Sequence, residues 1–328
     1  MKRLLVTDNI KRMAKEYALK VTKQLNPEAE LRYLMGQLHG NEAEYVGMII
    51  ENLSAILEML PWDYDNFHSD VFADFDKSGT KAIDLSKSIS LKPLNKKAKT
   101  QQIYKHILSA LGYDKIREEV FPQYIRKLDI RSCVYCNAQY AVSTKKGSTG
   151  RSRKFHVTFD LDHWKPKDKY PYLGVAFFNL YPSCPACNRG HSDNSKKWCL
   201  YAQEGEEQNP YRFKINNQSL LKYLLDWESE TLKIDFVDGM TGNPAVYDGN
   251  DHIEKIYNNF KDVVEEVIWR KRIYSAKMIE AMKQSGVYEL KPHDVNRFII
   301  GNYDREEDML KRPLAKLIQD VAKQLELI

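Results

Sequence analysis

The sequence predicts an α+β protein that is mostly helical around a small strand-containing centre. Apolar residues recur at helical spacing in the first third of the chain and again towards its end. Residues 155–163 instead alternate apolar and polar side chains, as a half-buried strand does. Two Cys-x-x-Cys pairs flank that alternating stretch, which indicates that the chain returns to one place on either side of it.

Length and composition set the class of protein. The chain has 328 residues, of which 43% are hydrophobic and 29% charged, as expected for a globular protein of two or three domains. We expect a helical segment (1–126), the strand-containing centre (127–215), and a small β piece with helices (216–328). No apolar run is long enough for a membrane span or a signal peptide. We therefore expect a cytoplasmic protein with no membrane contact.

Two helices are predicted in the first third, over residues 46–60 and 103–111, from their apolar spacing. Pro61 should end the first of them. Residues 63–98, between the two helices, have no clear periodicity and are expected to be irregular.

The centre should contain two strands and a helix. The first strand is residues 155–163, the second is the apolar run 175–181, and Pro185 suits the first turn of a helix. The loop 145–154 holds five basic residues and no acidic ones. The stretch 127–169 carries ten Lys or Arg against four Asp or Glu, although the whole chain has a net charge of only +5. Such a local excess favours a polyanionic partner.

The last third should begin with a β-like piece over residues 231–239. A long helix with its buried face along residues 253–268 is expected next, and a final helix over 314–325.

The cysteines predict a metal site. Cys-x-x-Cys pairs typically present two thiolates each to one tetrahedral ion, so Cys133, Cys136, Cys184 and Cys187 should bind one structural Zn²⁺. The alternatives are two unrelated thiol pairs or a redox pair. Cys199 stands alone and is expected to be a small buried apolar residue.

A second group of residues lies between and beside the cysteine pairs. Asp162 and His163 end the first predicted strand and are followed by Pro166, Asn179 is followed by leucine, and Asn188 directly follows the second cysteine pair. This order resembles that of the HNH (ββα-metal) endonucleases. The resemblance implies a ββα-metal core, held here by the zinc site, and a second, catalytic ion.

The residue types suit phosphodiester hydrolysis. His163 can act as the base that deprotonates water, because imidazole titrates near neutral pH, and Asp162 offers a hard oxygen ligand to Mg²⁺ or Mn²⁺. By resemblance, Asn179 belongs to the catalytic group and orients the His163 loop, while Asn188 is a second metal ligand. His191 stands where the family often has lysine. It is a third metal ligand, a phosphate contact or a surface residue.

A narrower resemblance rests on His163-Trp-Lys-Pro-Lys167, on Phe178-Asn-Leu180 and on Ser183-Cys-Pro-Ala-Cys-Asn-Arg189. These strings are similar to those of the PtuB-like HNH nucleases of Septu-type and retron-associated anti-phage systems. Asp162 replaces a glutamate of that subgroup, and the likeness covers about residues 130–215.

The subgroup implies a bacterial defence endonuclease that cleaves DNA beside an ATPase or another defence protein. Lys165, Lys167 and Arg189 are the expected nucleic-acid contacts. Two alternatives stay open at this point. One is a zinc-stabilised nucleic-acid-binding or assembly module without catalysis, and the other is an HNH nuclease that cleaves RNA or tRNA.

Overall fold

The computed structural model describes residues 1–92, 97–146, 154–190, 198–245, 252–285 and 291–328. It mixes helices with short strands and is 54% helical, which confirms the predicted mixture of helix and sheet, while the central ββα-metal core stays a prediction. No helix in these ranges has the length and apolar character needed to cross a membrane. The division into three segments stays a prediction.

The α-helices of the described ranges are α1 (Asp8–Leu25), α2 (Pro27–Met35), α3 (Gly40–Glu58), α4 (Tyr64–Val71), α5 (Ile103–Ala110), α6 (Tyr113–Lys115), α7 (Pro122–Lys127), α8 (Pro185–Gly190), α9 (Asn217–Asp226), α10 (His252–Tyr257), α11 (Lys261–Ile273), α12 (Ala276–Gln284), α13 (Pro292–Ile300) and α14 (Ala315–Gln324). The strands are β1 (Leu4–Leu5), β2 (Ser88–Leu91), β3 (Lys99–Gln102), β4 (Ser143–Lys145), β5 (Phe155–Val157), β6 (Asp160–His163), β7 (Leu180–Ser183), β8 (Tyr201–Ala202), β9 (Tyr211–Ile215) and β10 (Ile234–Asp238).

These strands form five two-stranded sheets within the described residues. Strands β2 and β3, β4 and β5, β6 and β7, and β9 and β10 are antiparallel, whereas β1 and β8 are parallel. In the β6–β7 pair, Asp162 lies opposite Tyr181 and His163 opposite Leu180. The helix α8 follows β7 almost directly, so β6, β7 and α8 give the order strand, strand, helix.

The N-terminal helices pack against the centre. Helix α1 begins after Thr7, whose hydroxyl accepts a hydrogen bond from the backbone N–H of Ile10. On its buried face, the Tyr17 hydroxyl donates to the carbonyl of Val175 at 2.6 Å. Helix α3 ends before Pro61, as predicted. One cluster of buried apolar side chains extends from Met1 to Leu327.

The first predicted strand of the centre is in fact two strands with different partners. Strand β5 pairs with β4, and β6 pairs with β7. The change occurs at Thr158, which closes the β4–β5 ladder by bonding Val142 through both its backbone and its hydroxyl. The second strand begins at Leu180 rather than Val175, because 3-10 turns occupy Pro171–Val175 and Phe177–Asn179. A fully buried apolar run does not by itself specify a strand.

Two further expectations were wrong in detail. The helix expected along 253–268 is broken between α10 and α11. The break lies at Asn258, whose side chain bonds both the N–H and the carbonyl of Ile234 in β10, at 2.9 and 2.8 Å. The segment 63–98, expected to be irregular, contains α4 and β2 in its described part.

The C-terminal segment encloses the first cysteine pair. The carbonyl of Leu310 accepts from the backbone N–H groups of Arg131 and Ser132, and that of Asn137 accepts from Leu314. From α10, the Tyr257 hydroxyl donates to the carbonyl of Cys136 at 2.5 Å. The backbone around this pair is therefore fixed by residues more than 100 positions away in the sequence.

Candidate functional site

The four cysteines predicted to bind one ion lie together. Their sulfur atoms are all within 4.8 Å of one another. All four side chains are buried, and none forms a disulfide. Cys133 and Cys136 come from the turn before β4, while Cys184 and Cys187 come from the end of β7 and from α8. The two pairs thus converge on one point, as their spacing predicted.

This donor set fits a tetrahedral metal ion such as zinc. Four sulfurs at about 2.3 Å from a central ion are separated by about 3.8 Å, and Cys136 Sγ lies 3.9 Å from Cys184 Sγ. The backbone N–H of Ala138 donates to Cys136 Sγ, and that of Cys187 to Cys184 Sγ.

The imidazole ring of His163, at the end of β6, is oriented by a hydrogen bond from one of its nitrogens. Nε2 lies 3.0 Å from the carbonyl oxygen of Gly174. A carbonyl only accepts, so the neutral ring carries its proton on Nε2, and Nδ1 bears the basic lone pair. The ring of Tyr113 lies 5.2 Å from that of His163, centroid to centroid. His163 is only 5% exposed.

Both carboxylate oxygens of Asp162 accept hydrogen bonds. Its Oδ2 accepts from the Tyr135 hydroxyl at 2.8 Å, and its Oδ1 accepts from the backbone N–H of His163 at 2.7 Å. Tyr135 lies within the first Cys-x-x-Cys pair, so this bond joins the cysteine cluster directly to the end of β6. Carboxylate oxygens are also the hard ligands that Mg²⁺ prefers.

Asn179 ties together the backbone after His163. Its Oδ1 accepts from the N–H of Lys165 at 2.7 Å, and its Nδ2 donates to the carbonyls of Lys165 and Leu173 at 3.2 and 2.9 Å. The side chain is fully buried. These are loop-orienting bonds of the kind that the resemblance implied. A part in catalysis stays a prediction.

Asn188 forms a hydrogen bond with Asp160, which was not among the residues predicted for the site. Its Nδ2 donates to Asp160 Oδ2 at 3.1 Å. Asp160 and Asp162 are two positions apart in β6, so they face the same side of the strand. The bond to Asp160 uses the amide nitrogen of Asn188 and leaves its Oδ1 as the oxygen that can coordinate a cation. Ligation by Asp162 and Asn188 stays a prediction.

The described residues contain one cluster of three or more His, Cys, Asp or Glu close enough to share an ion, and it is the cysteine cluster. A divalent ion held by Asp162 and by the amide oxygen of Asn188 would leave further coordination positions to water or substrate, as Mg²⁺ commonly does. His191, the predicted third ligand, lies outside the described residues, as does most of the basic loop 145–154.

The predicted nucleic-acid contacts differ in their surroundings. Lys165 forms an ion pair with Asp65, and its Nζ lies 5.1 Å from the centre of a ring of Trp164. The ammonium of Lys167 lies 5.2 Å from the ring centre of Tyr113. Arg189 is exposed on α8. The ion pair of Lys165 would have to open before this residue could bind phosphate.

Four residues that contribute to the site were not predicted from the sequence. The alternation Asp-Leu-Asp before His163 could have indicated Asp160, and the position of Tyr135 inside a cysteine pair could have drawn attention to it. No local pattern marks Tyr113 or Gly174, because each acts through a contact between distant segments.

Comparison of the chain with protein-family models, with curated proteins and with solved structures finds no match.

Proposed function

We propose that the chain is a metal-dependent endonuclease of the HNH type that hydrolyses DNA phosphodiester bonds. Zinc at Cys133, Cys136, Cys184 and Cys187 has a structural role in this proposal. The observation that carries it is the bond from His163 Nε2 to the Gly174 carbonyl. It makes Nδ1 the basic nitrogen of His163, the residue that directly follows Asp162 in β6.

Each side chain has a defined task in the proposed reaction. His163 Nδ1 accepts a proton from the water whose oxygen attacks phosphorus, and the bond from phosphorus to the leaving oxygen breaks. Asp162 and the Oδ1 of Asn188 would hold Mg²⁺ or Mn²⁺, which supplies positive charge to the phosphate oxygens. Asn179 keeps the loop after His163 in place, and Tyr135 holds the carboxylate of Asp162.

The experiment compares purified wild type with His163→Ala on supercoiled plasmid, in Mg²⁺ and in Mn²⁺. His156→Ala is the matched control, because His156 is an exposed histidine of the neighbouring strand β5. Wild type and His156→Ala should nick or linearise the plasmid, and His163→Ala should be slower by about 100-fold or more. Equal cleavage by His163→Ala would show that another group is the base.

One observation favours the non-catalytic alternative. His163 and Asp162 are only 5% and 8% exposed, so substrate can reach them only if neighbouring groups move. A zinc-stabilised binding module would not need that movement. Plasmid and RNA incubated in parallel, with and without lysate from phage-infected cells, separate the possibilities. Binding without cleavage of either polymer supports the module, and cleavage of RNA alone moves the substrate from DNA to RNA.

The biological setting is proposed on the resemblance alone. We place the chain in bacterial anti-phage defence, acting with an ATPase partner. Cells that carry the gene with its native neighbours should resist phage, and the same cells with His163→Ala should not. Resistance that is unaffected by His163→Ala would contradict this setting for the nuclease.

A further inference from the structure

A basic cleft lies beside the strand-end site. It has a volume of ≈ 370 Å³ and is formed by β3, the outer face of α5, the start of α6 and the loop after β6. Its walls include four lysines and two tyrosines: Lys97, Lys99, Tyr104, Lys105, Tyr113 and Lys167. The volume falls within the range of pockets that bind small ligands.

Positive charges outnumber negative ones among the described residues that form the walls of this cleft. Asp114 is the one acidic residue in its walls. Within the described ranges none of the four lysines forms an ion pair, whereas nearby Lys87 and Lys165 are paired with Glu42 and Asp65. Desolvation by burial lowers the pKa of Lys167, a cost that a bound anion would offset. A concentration of unpaired cations in a concave surface favours an anionic ligand.

The cleft shares a wall with the proposed catalytic site. The ring centre of Tyr113 lies 5.2 Å from the ammonium nitrogen of Lys167 and 5.2 Å from the ring centre of His163. The Tyr113 hydroxyl donates to the carbonyl of Leu161 in β6 at 3.2 Å. Tyr113 is therefore both a wall residue of the cleft and a neighbour of the proposed base His163.

We infer that this cleft binds the phosphodiester backbone of the DNA strand on one side of the bond to be cleaved. The inference rests on the proposed function and adds the place where the substrate is held. Lysine ammonium groups bind phosphates as point charges, and the half-buried rings of Tyr104 and Tyr113 are of the kind on which bases stack. The expected contacts are largely independent of sequence, because they are made to the backbone.

The test changes three lysines that lie outside the proposed catalytic group. Lys97→Glu, Lys99→Glu and Lys105→Glu are combined in the His163→Ala protein, so that DNA binding is measured without cleavage. The control combines Lys15→Glu, Lys222→Glu and Lys277→Glu, exposed lysines of α1, α9 and α12 that make the same change in net charge. Fluorescence anisotropy with labelled duplex and single-stranded DNA gives Kd as a function of salt concentration.

The cleft variant should bind DNA about tenfold or more weakly, and the control variant should change little. The slope of log Kd against log salt should also fall by about 2 to 3 in the cleft variant alone, since each lost phosphate contact removes about 0.7 to 0.9. Equal weakening in both variants, or an unchanged slope in the cleft variant, would overturn the inference. Circular dichroism establishes that both variants are folded.

Two further outcomes separate this inference from the proposed function. If wild type cleaves DNA while the cleft variant binds it normally, the nuclease proposal stands and the inference is wrong. In the other outcome, wild type never cleaves, while the cleft variant alone binds DNA more weakly and with a smaller slope of log Kd against log salt. In that case DNA does bind in the cleft, and the nuclease proposal is wrong. Binding of ATP that depends on the cleft lysines, with the DNA Kd unchanged, would assign the cleft to a free nucleotide and also overturn the inference.

Discussion

The ring of His163 is oriented by the carbonyl of Gly174, 3.0 Å from Nε2. Gly174 in turn lies against Leu108 of α5. A Cβ added at position 174 would lie 2.2 Å from Leu108 Cδ2, a distance at which one of the two must move. The N-terminal helical segment therefore sets the position of the carbonyl that selects the tautomer of His163.

Gly174→Ala should disturb this arrangement. We expect a loss of about 1–3 kcal/mol in the free energy of unfolding, because the buried contact is overpacked, and slower plasmid cleavage from the displaced carbonyl. Urea denaturation and the plasmid assay measure the two effects. The double variant with Leu108→Ala should lose less stability than the sum of the single variants, since the clashing atom is gone. Strict additivity would show that the contact does not constrain position 174.

Tyr135→Phe should weaken the divalent metal site without affecting zinc. It removes the hydroxyl that donates to Asp162 at 2.8 Å. Loss of a partner that orients a metal ligand typically lowers metal affinity about 10-fold to 100-fold. The Mg²⁺ or Mn²⁺ concentration for half-maximal cleavage should rise accordingly. Tyr140→Phe, at an exposed tyrosine of the same segment, is the control. If the metal concentration for half-maximal cleavage does not change, the Tyr135 hydroxyl does not support the metal site.

The cysteine cluster should contain about one zinc per chain by elemental analysis. Cys184→Ser should give insoluble or unfolded protein, because the metal contributes folding free energy. Cys199→Ser, outside the cluster, should keep both zinc and fold. Asp162→Asn should also keep zinc while losing cleavage, since binding of zinc does not depend on the catalytic Mg²⁺ or Mn²⁺. Well-folded protein without zinc would contradict the structural role.

The buried side chain of Lys316 should make the stability of the protein depend on pH. Its side chain is fully buried and donates to Asp320 at 2.6 Å, and desolvation lowers its pKa from 10.5 to about 8. Between about pH 8 and pH 10.5, Lys316 is protonated in the unfolded chain and has released its proton in the folded chain. Unfolding then takes up a proton, so the contribution of Lys316 to stability increases as pH rises from about 8 to 10.5.

The measurement is the difference in free energy of unfolding between wild type and Lys316→Met as a function of pH. It should move in favour of wild type by at most about 1.4 kcal/mol per pH unit across that window. Lys323→Met, at an exposed lysine of the same helix, serves as the control. A difference that is flat with pH would mean that Lys316 keeps its ordinary pKa in the folded protein.

The sequence by itself determined the features that depend on neighbours a few residues apart. Apolar spacing located α3, α5 and α14, and the proline after residue 60 gave the end of α3. The spacing within each Cys-x-x-Cys pair predicted a shared metal site, because each pair is a local turn that can present two sulfurs to one ion. The mixed α+β class followed from the same periodicities.

The tertiary structure alone decided which distant groups meet. Whether an apolar run such as 175–181 is a strand or a series of turns depends on what packs against it, and here helices α1, α3 and α5 pack against its turns. The contacts of His163 with Gly174 and Tyr113, and the lysines gathered around one cleft, join segments that have no common local pattern. Side-chain periodicity shows which face of an element is buried, but it contains no information about the partner that buries it.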